Sequence, residues 1–512
     1  MSNDAATLTN SKTVSSCSLG ELLRSALDID VGEPHLAEAH ISGICQDSRL
    51  ARPGCLFVAI AGAKGDGAQF VADAVRRGAR AVVADREIEM MPGVPLIVVP
   101  SAREAVSKLA AQFHGLSRTQ AAGEMSVIGI TGTNGKSTTA YMIRAILQSA
   151  SKPTALFGTI EYDLVSRVVT STLTTPDPIE LVKHLVEAHE AGARHAVMEV
   201  SSHSLDQRRE AGIRFSTGVF TNLTQDHLDY HGTMEAYGFA KRRMFDRLDE
   251  NGTAIVNIDD PAAEIMLAAC KSRVIRYGIE GEADLRADHV ELTRTGCTFN
   301  MAFEGRKAQG SIQLAGLHNV YNALGAVGAA LSMGMSLEEA AQGLAQLKRV
   351  PGRLQRIETE PFEFDIYVDY AHTDDALRNV LTALRPITEG RLVCVFGCGG
   401  DRDRTKRPRM ARAVTDCADA FIITSDNPRT EDPLAIIAEI ESGLTPDGRI
   451  RGVTEPDRAE AINLAIDRLR PTDTLLIAGK GHEDYQIIGT EKIHFDDAEV
   501  AAEAVKRRLA AR

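Results

Sequence analysis

The sequence predicts an α/β protein of three domains built on largely parallel sheets. Short apolar runs alternate with helical patterns almost throughout the 512 residues, as successive strand–helix–strand units do. At roughly 150 residues per domain, a chain of this length holds about three. Hydrophobic residues make up 44% and charged residues 25%, the balance of a globular chain able to bury real cores.

The opening MSNDAATLTNSKTVSS has neither the basic start nor the apolar core of a signal peptide, and reads as a flexible tail over the first 15 or so residues. The first domain is expected over 1–102, with GCLFVAIAG, ARAVVAD and VPLIVVP as strands and FVADAVRRG as a helix. A helical connector, AREAVSKLAAQF, leads into a second domain over 103–348. Its strands are SVIGI, HAVMEVSS, STGVFTNL and TAIVNIDD, and it closes in the helix-like LEEAAQGLAQL. After VPGRLQ a third series, FDIYVDY, RLVCVFG, AFIIT and DTLLIAG, marks a third domain over 349–512. No short repeat and no low-complexity segment interrupts this order.

Composition also excludes function classes. A net charge of −13 argues against general nucleic-acid binding, while leaving room for a local basic patch that holds phosphates. No apolar run approaches the ~18 residues of a membrane span. The eight cysteines are scattered without a CxxC pair, which suits free thiols in a reducing cytoplasm better than a zinc site.

The strongest local signal is GITGTNGKSTT, residues 129–139. A β-like run feeds a glycine-rich turn over Thr131, Gly132, Thr133, Asn134 and Gly135, and an amphipathic helix follows. Such a turn aims backbone N–H groups at phosphate oxygens, the helix start adds positive potential, and Lys136 neutralises charge. Ser137 is placed to bind Mg²⁺. By strict count the usual phosphate-loop pattern fails, because Ile130 stands where its first glycine belongs. Glu199 ends the apolar run HAVME, where an acid can hold magnesium near the phosphates. In TNLTQDHLDYH, His227 and His231 lie four apart, but the intervening Glu of a zinc helix is missing. One magnesium-ligating or phosphate-facing histidine is the better reading there, with an inert surface cluster as the alternative.

Together these residues resemble the Mur ligase family, the ADP-forming amide ligases of peptidoglycan precursor synthesis. The likeness runs through TGTNGKST, EVSSHSLDQRR, FTNLTQDHLDYHG, AYGFAKRRMF, GLHNVYNALGA, PGRLQ, VDYAHT, GCGGDRDRTKRP, DNPR and AGKGHEDYQ, in that order. The family's phosphate loop has the same displaced glycine. The resemblance implies an amino-terminal UDP-binding domain, a central phosphate-loop ATPase-like domain and a Rossmann-like carboxyl-terminal domain, in a cytoplasmic monomer. It implies that the carboxylate of UDP-N-acetylmuramoyl-L-alanyl-D-glutamate attacks the γ-phosphate of ATP. The amine of meso-diaminopimelate then displaces phosphate from the acyl phosphate. Lys136, Glu199, His227 and Lys241 are the implied catalytic centre, with Ser137, Glu199, His227 and a carbamylated Lys241 as metal positions for Mg²⁺. Asn319, Arg353, Asp369 and His372 join the phosphate loop as ATP contacts, which places ATP in an interdomain cleft. The UDP-linked dipeptide falls to Gln46, Ser48, Ala63, Lys64, Gly65, Thr174, Thr175, Ser201, Gln207 and Arg209. Diaminopimelate falls to Arg402, Asp426, Asn427, Pro428, Arg429, Gly479 and Glu483.

Two features depart from the family pattern: AKG at 63–65, and Asp374 where relatives commonly have proline, which is expected to alter only a helix entry. Three other readings stay open on the sequence. One is a family member that adds L-lysine; another is a folylpolyglutamate synthetase-like ligase, which would lack the first domain and need no DNPR. The third is a nucleotide switch, which would leave GCGGDRDR, DNPR and GKGHE without a purpose.

Overall fold

The computed structural model describes residues 16–62, 65–268 and 270–511, so the expected amino-terminal tail lies outside the described residues. The chain forms three main sheets in sequence order, each layered with helices. In the first, strands Gly43–Cys45, Cys55–Ala59, Ala81–Ala84 and Leu96–Val98 lie in that order, all parallel. Runs such as CLFVA and AVVA are apolar at every position because both faces of the sheet are covered. One face packs on Leu22 and Leu23 and on Ala105, Val106 and Leu109 of the helix Ala102–Phe113. The segment expected as a connector therefore contributes to the first core.

The central sheet has eleven strands. Thr154–Phe157, His195–Glu199, Ser126–Thr131, Phe215–Phe220, Leu248–Asn257 and Arg273–Gly278 are parallel neighbours in that order. Ser126–Thr131 sits between the strand ending in Glu199 and the strand leading to Thr221, so three loops open at one carboxyl edge. That edge is where open α/β sheets bind ligands. Beyond it, Leu285–Thr293, Gly296–Phe303 and Arg306–Ile312 form an antiparallel meander that sequence reading did not detect. Their burial alternates irregularly, so no continuous apolar run announces them.

The third sheet runs Gln355–Ile357, Asp365–Asp369, Thr474–Ala478, Leu392–Cys398, Ala420–Ser425 and Gly452–Thr454, parallel except for the first strand. Its four central strands end in VDYAH, GKGHE, GCGG and DNPR, which collects these distant motifs at one edge. The described cysteines are free: Cys45, Cys55, Cys297, Cys394 and Cys398 are buried, the others half-buried. No helix among the described residues is long and apolar enough to cross a membrane.

Candidate functional site

The phosphate loop explains its own misfit. Ile130 is still a strand residue, paired with Glu199 across the ladder, so the turn begins later. The tight positions are Gly132 and Gly135. A Cβ on Gly132 would lie 1.9 Å from Thr221 Oγ1, and one on Gly135, at φ +86°, 2.2 Å from Asn322 Oδ1. Residues after the neighbouring strand hold the loop. Thr221 Oγ1 donates to the Asn134 carbonyl (2.6 Å), Asn134 N donates to Asn222 Oδ1 (2.9 Å), and Thr224 N donates to Thr133 Oγ1 (3.0 Å).

Two lysines converge on this loop. Lys136 Nζ donates to the carbonyls of Gly132 (3.0 Å) and Thr133 (2.8 Å), while Lys241 Nζ donates to Gly132 O at 2.7 Å. Lys241 is 1% exposed and lies 4.4 Å from the Tyr237 ring centroid. Burial lowers the pKa of both, and for Lys241 the drop is large, with the Lys136 charge adding to it. Two amine groups thus crowd one carbonyl beside the turn, with Glu199 and Asp226 as the acids whose charge reaches them.

Glu199 is 2% exposed and accepts from Thr159 N (2.9 Å) and Thr159 Oγ1 (3.1 Å). The Ser137 hydroxyl opens the helix Lys136–Ser149. His227 adopts the left-handed conformation (φ 52°) before the helix Leu228–His231, and His231 Nε2 meets Ser202 Oγ at 2.9 Å, so the pair does not share a zinc-type helical turn. Loss of hydration lowers the pKa of His227, with His203 and the two lysines adding to the effect and Asp226 opposing it. The imidazole is therefore neutral, as a metal ligand must be. No group of three or more His, Cys, Asp or Glu is arranged to hold a metal among the described residues. The buried Glu199 carboxylate and the Ser137 hydroxyl beside a phosphate loop are oxygen donors that fit Mg²⁺, which takes few protein ligands and keeps phosphate and water.

The third domain reaches into this site. Arg353 Nη2 donates to Ser137 Oγ at 3.1 Å, and its guanidinium lies 4.8 Å from the Tyr370 ring centroid. Asp369 faces inward: it accepts from Leu354 N (2.7 Å) and Ala371 N (2.8 Å), fixing the turn that presents Arg353. Burial raises its pKa, against the Arg353 charge. His372 Nδ1 is 2.8 Å from its neighbour Tyr370 O. Asn319 touches the loop only indirectly, accepting at Oδ1 from Asn322, whose own Oδ1 meets Thr139 Oγ1. Asp374 is the first helical residue after the cap Thr373, the helix-entry place expected for it.

The residues assigned to the UDP-linked dipeptide fall into one connected cluster and a separate group. Arg209 donates to the Thr175 carbonyl (2.9 Å) and to Gln207 Oε1 (2.7 Å). Thr175 Oγ1 donates to Glu199 O (2.9 Å) and accepts from Ser201 N (3.1 Å). Thr174 Oγ1 lies 3.1 Å from Thr159 Oγ1. Gln46 crosses from the first domain to donate to Asp177, two residues beyond Thr175. Ser48 is buried against Asp73 of its own domain, and Gly65 lies in the Ala61–Gly62/Gly65–Asp66 hairpin. Ala63 and Lys64 lie outside the described residues.

At the third sheet's edge, Asn427 donates to Glu483 Oε2 (2.8 Å) and accepts from Ile487 N (2.9 Å). Arg429 is held at φ 52° by its N–H on Ile487 O (3.1 Å) and by Gly489 N on its carbonyl (2.8 Å). Its Nη1 donates to Gly400 O at 2.8 Å. Pro428 carries a carbonyl that a Cβ on Gly400 would meet at 1.9 Å, so GCGG and DNPR pack backbone to backbone. Gly479, at φ +115°, faces Asp426, while Arg402 is exposed and donates to Asp401 O. The flanking acids have structural work: Glu431 pairs with the fully buried Arg407 (2.8 Å), and Asp432 caps the helix Pro433–Glu441.

Sequence reading missed Thr159, Asn322, Asp375, Arg407 and Lys480. Asp375 Oδ2 joins Thr224 Oγ1 (2.9 Å) and Asn134 Nδ2 (3.3 Å) across the domain boundary. Asn322 had a signal, a second Asn one turn after Asn319 at the start of a mostly apolar helix. Thr159 had none.

Comparison with known proteins follows the same division. The family models described as "Mur ligase family, catalytic domain", "Mur ligase middle domain" and "Mur ligase, glutamate ligase domain" match residues 40–114, 130–330 and 352–481. A UDP-N-acetylmuramoyl-L-alanyl-D-glutamate–2,6-diaminopimelate ligase of Solibacter usitatus is 42% identical over 95% of this chain and 98% of its own length. A ligase of the same name from Parasynechococcus marenigrum is 44% identical over 96% and 99%. A solved structure of a UDP-N-acetylmuramoyl-L-alanyl-D-glutamate–2,6-diaminopimelate ligase superposes with a TM-score of 0.70 at 32% identity, covering 96% of this chain and all of that one.

Proposed function

The chain belongs to the Mur ligase family, and on that premise we propose that it ligates meso-diaminopimelate to UDP-N-acetylmuramoyl-L-alanyl-D-glutamate at the expense of ATP. The observation that carries this reading is the meeting of two sheet edges: Arg353 reaches Ser137 at 3.1 Å, beside the phosphate loop, while Arg429 and Glu483 line the edge of the same third domain. A phosphoryl group on the loop and an amino acid at the third sheet would thus be served by adjoining loops.

The chemical obstacle is that a carboxylate must approach a triphosphate. Lys136 and Arg353 supply compensating positive charge where that approach occurs. Glu199 and Ser137 are the side chains that would hold Mg²⁺, with His227 and Lys241 at a second position; bound there, Mg²⁺ neutralises phosphate charge. Lys241 matters through its depressed pKa, because CO₂ adds only to a neutral amine, releasing one proton and leaving a carbamate. That conversion turns the neutral amine at the Gly132 carbonyl into an anion able to ligate metal. Arg209, Gln207 and Thr175 would take the nucleotide-linked dipeptide, with Gln46 bringing the first domain to it. The amine of diaminopimelate then attacks the acyl phosphate, forming the amide as phosphate leaves.

A ligation assay with the UDP-linked dipeptide, ATP, Mg²⁺ and a panel of diamino acids tests the reading. Phosphate release should require both the dipeptide and meso-diaminopimelate. Steady hydrolysis without either would instead mark a nucleotide switch, and equal use of L-lysine would mark a lysine-adding enzyme.

A further inference from the structure

Lys480 lies in the GKGHE loop with its side chain fully shut from water. Around its ammonium are Glu483 Oε2 at 3.3 Å, Asp426 Oδ1 at 3.9 Å and the Tyr485 carbonyl. Asp426 is 7% exposed, yet its Oδ1 has no hydrogen-bond partner among the described residues. A carboxylate oxygen so buried and without a hydrogen bond is costly unless something completes it. Burial raises the pKa of Glu483 and the Asp426 charge adds to the rise, while Lys480 and Asn427 oppose it. Two carboxylates and one ammonium leave one net negative charge, the complement of a single ligand ammonium.

We propose that Lys480 is a positioning residue for the incoming amino acid, holding the Asp426 and Glu483 side chains together as the pair that accepts the ammonium at the amino acid's far end. The proposal rests on the reading of this edge as the diaminopimelate site. Other cations nearby are committed elsewhere. Arg458 donates twice to Asp497 at 2.7 Å and once to Ala478 O at 2.9 Å, and Arg429 holds Gly400 O. Asp484, the neighbour of Glu483, adds negative charge to the edge, as its influence on Tyr485 records. Tyr370 and Tyr485 stay neutral, since burial raises both. Without Lys480, two buried like charges would share the site, and the Glu483 pKa, already raised by burial, would rise further, favouring uptake of a proton there. A carboxylic acid in place of a carboxylate then loses its grip on an ammonium, and the loss reverses as pH rises and the proton leaves.

The test is Lys480→Gln, which removes the charge and leaves a polar amide in its place. Expected at pH 7 is a rise of about 30-fold in KM for meso-diaminopimelate, as loss of a charge-assisted contact gives, with kcat within about threefold. KM for ATP and for the UDP-linked dipeptide should stay put, and the diaminopimelate gap should narrow toward pH 9. Adding Asp426→Asn should improve KM over Lys480→Gln alone, because it removes the uncompensated charge. A KM unchanged by Lys480→Gln, a pH-independent rise, a parallel rise for ATP, or a double variant worse than the single each overturns the inference. Should Lys480→Gln not fold, Asp426→Asn alone decides: it should move the acid limb of the diaminopimelate KM–pH profile to lower pH, and an unmoved limb refutes the idea. Failure of the unmodified protein to ligate any diamino acid would instead remove the underlying functional reading.

Discussion

Arg429→Ala isolates the guanidinium proposed to distinguish diaminopimelate from lysine. Non-glycine residues at φ near +50° carry strain of about 1 kcal/mol, but alanine and arginine share it, so it cancels in the comparison. The loop itself should survive, because its backbone bonds to Ile487 O and Gly489 N and the Asn427 Oδ1 bond from Ile487 N are independent of the guanidinium. Folded stability therefore falls by the side chain's bonds to Gly400 O and, at 3.5 Å, Asn427 O, about 1 kcal/mol. The loss for substrate is larger, since a charge-assisted bond to a carboxylate is worth about 1.5–3 kcal/mol, or roughly 10–150-fold in KM. For the unmodified protein, a desolvated Arg429 facing a lysine that lacks the distal carboxylate should reject it by ~10⁴-fold. Phosphate release coupled to ligation, measured across diaminopimelate and lysine concentrations, reads both numbers. Comparable kcat/KM for the two amino acids in the unmodified protein, or an Arg429→Ala variant with unchanged diaminopimelate KM, would refute the assignment of DNPR as the selectivity loop.

Three further outcomes are expected. Lys241→Ala should cut turnover by about 10²-fold or more, with partial recovery on adding a small carboxylate; full activity in that variant would rule out a carbamate. Gly135→Ala must place a Cβ 2.2 Å from Asn322 Oδ1 at φ +86°, so nucleotide titration should find ATP bound at least about tenfold more weakly. Glu431 is held at a pKa of about 2, by its bonds to Arg407 and then to Asp401 N, below its ordinary 4.5. Because the folded pKa is depressed, the stability it contributes is complete above pH 4.5 and is lost as pH falls toward 2. Its side chain is 22% exposed, so screening reduces the contribution to on the order of 1 kcal/mol. Urea midpoints should therefore fall less between pH 5 and pH 2.5 in Glu431→Gln than in the unmodified protein, and equal falls would deny Glu431 this role.

The sequence alone determined what local physics encodes. Continuous apolar runs such as CLFVA, SVIGI and TLLIA announce strands buried on both faces, and glycines at 132 and 135 announce a phosphate-type turn between strand and helix. The order of motifs sufficed to indicate the family, the three-domain architecture and the class of reaction. The irregular meander at 285–312 escaped because its burial follows no simple period. Tertiary structure decided which of the flagged residues share a space. It placed Arg353 on Ser137 across 216 positions, turned Asp369 inward to fix a turn, and put Asn319 one step behind Asn322. It also separated the acids of the DNPR loop, giving Glu431 and Asp432 to an ion pair and a helix cap while leaving Arg429 at the sheet edge. Lys480 shows why these assignments were beyond sequence reading. Its composition and neighbours read as an ordinary glycine-flanked lysine, whereas its role depends on burial beside Asp426, a carboxylate 54 positions earlier in the chain. Strand pairing and desolvation are collective properties of the packed sheet, and only they determine which charges face one another without water between them.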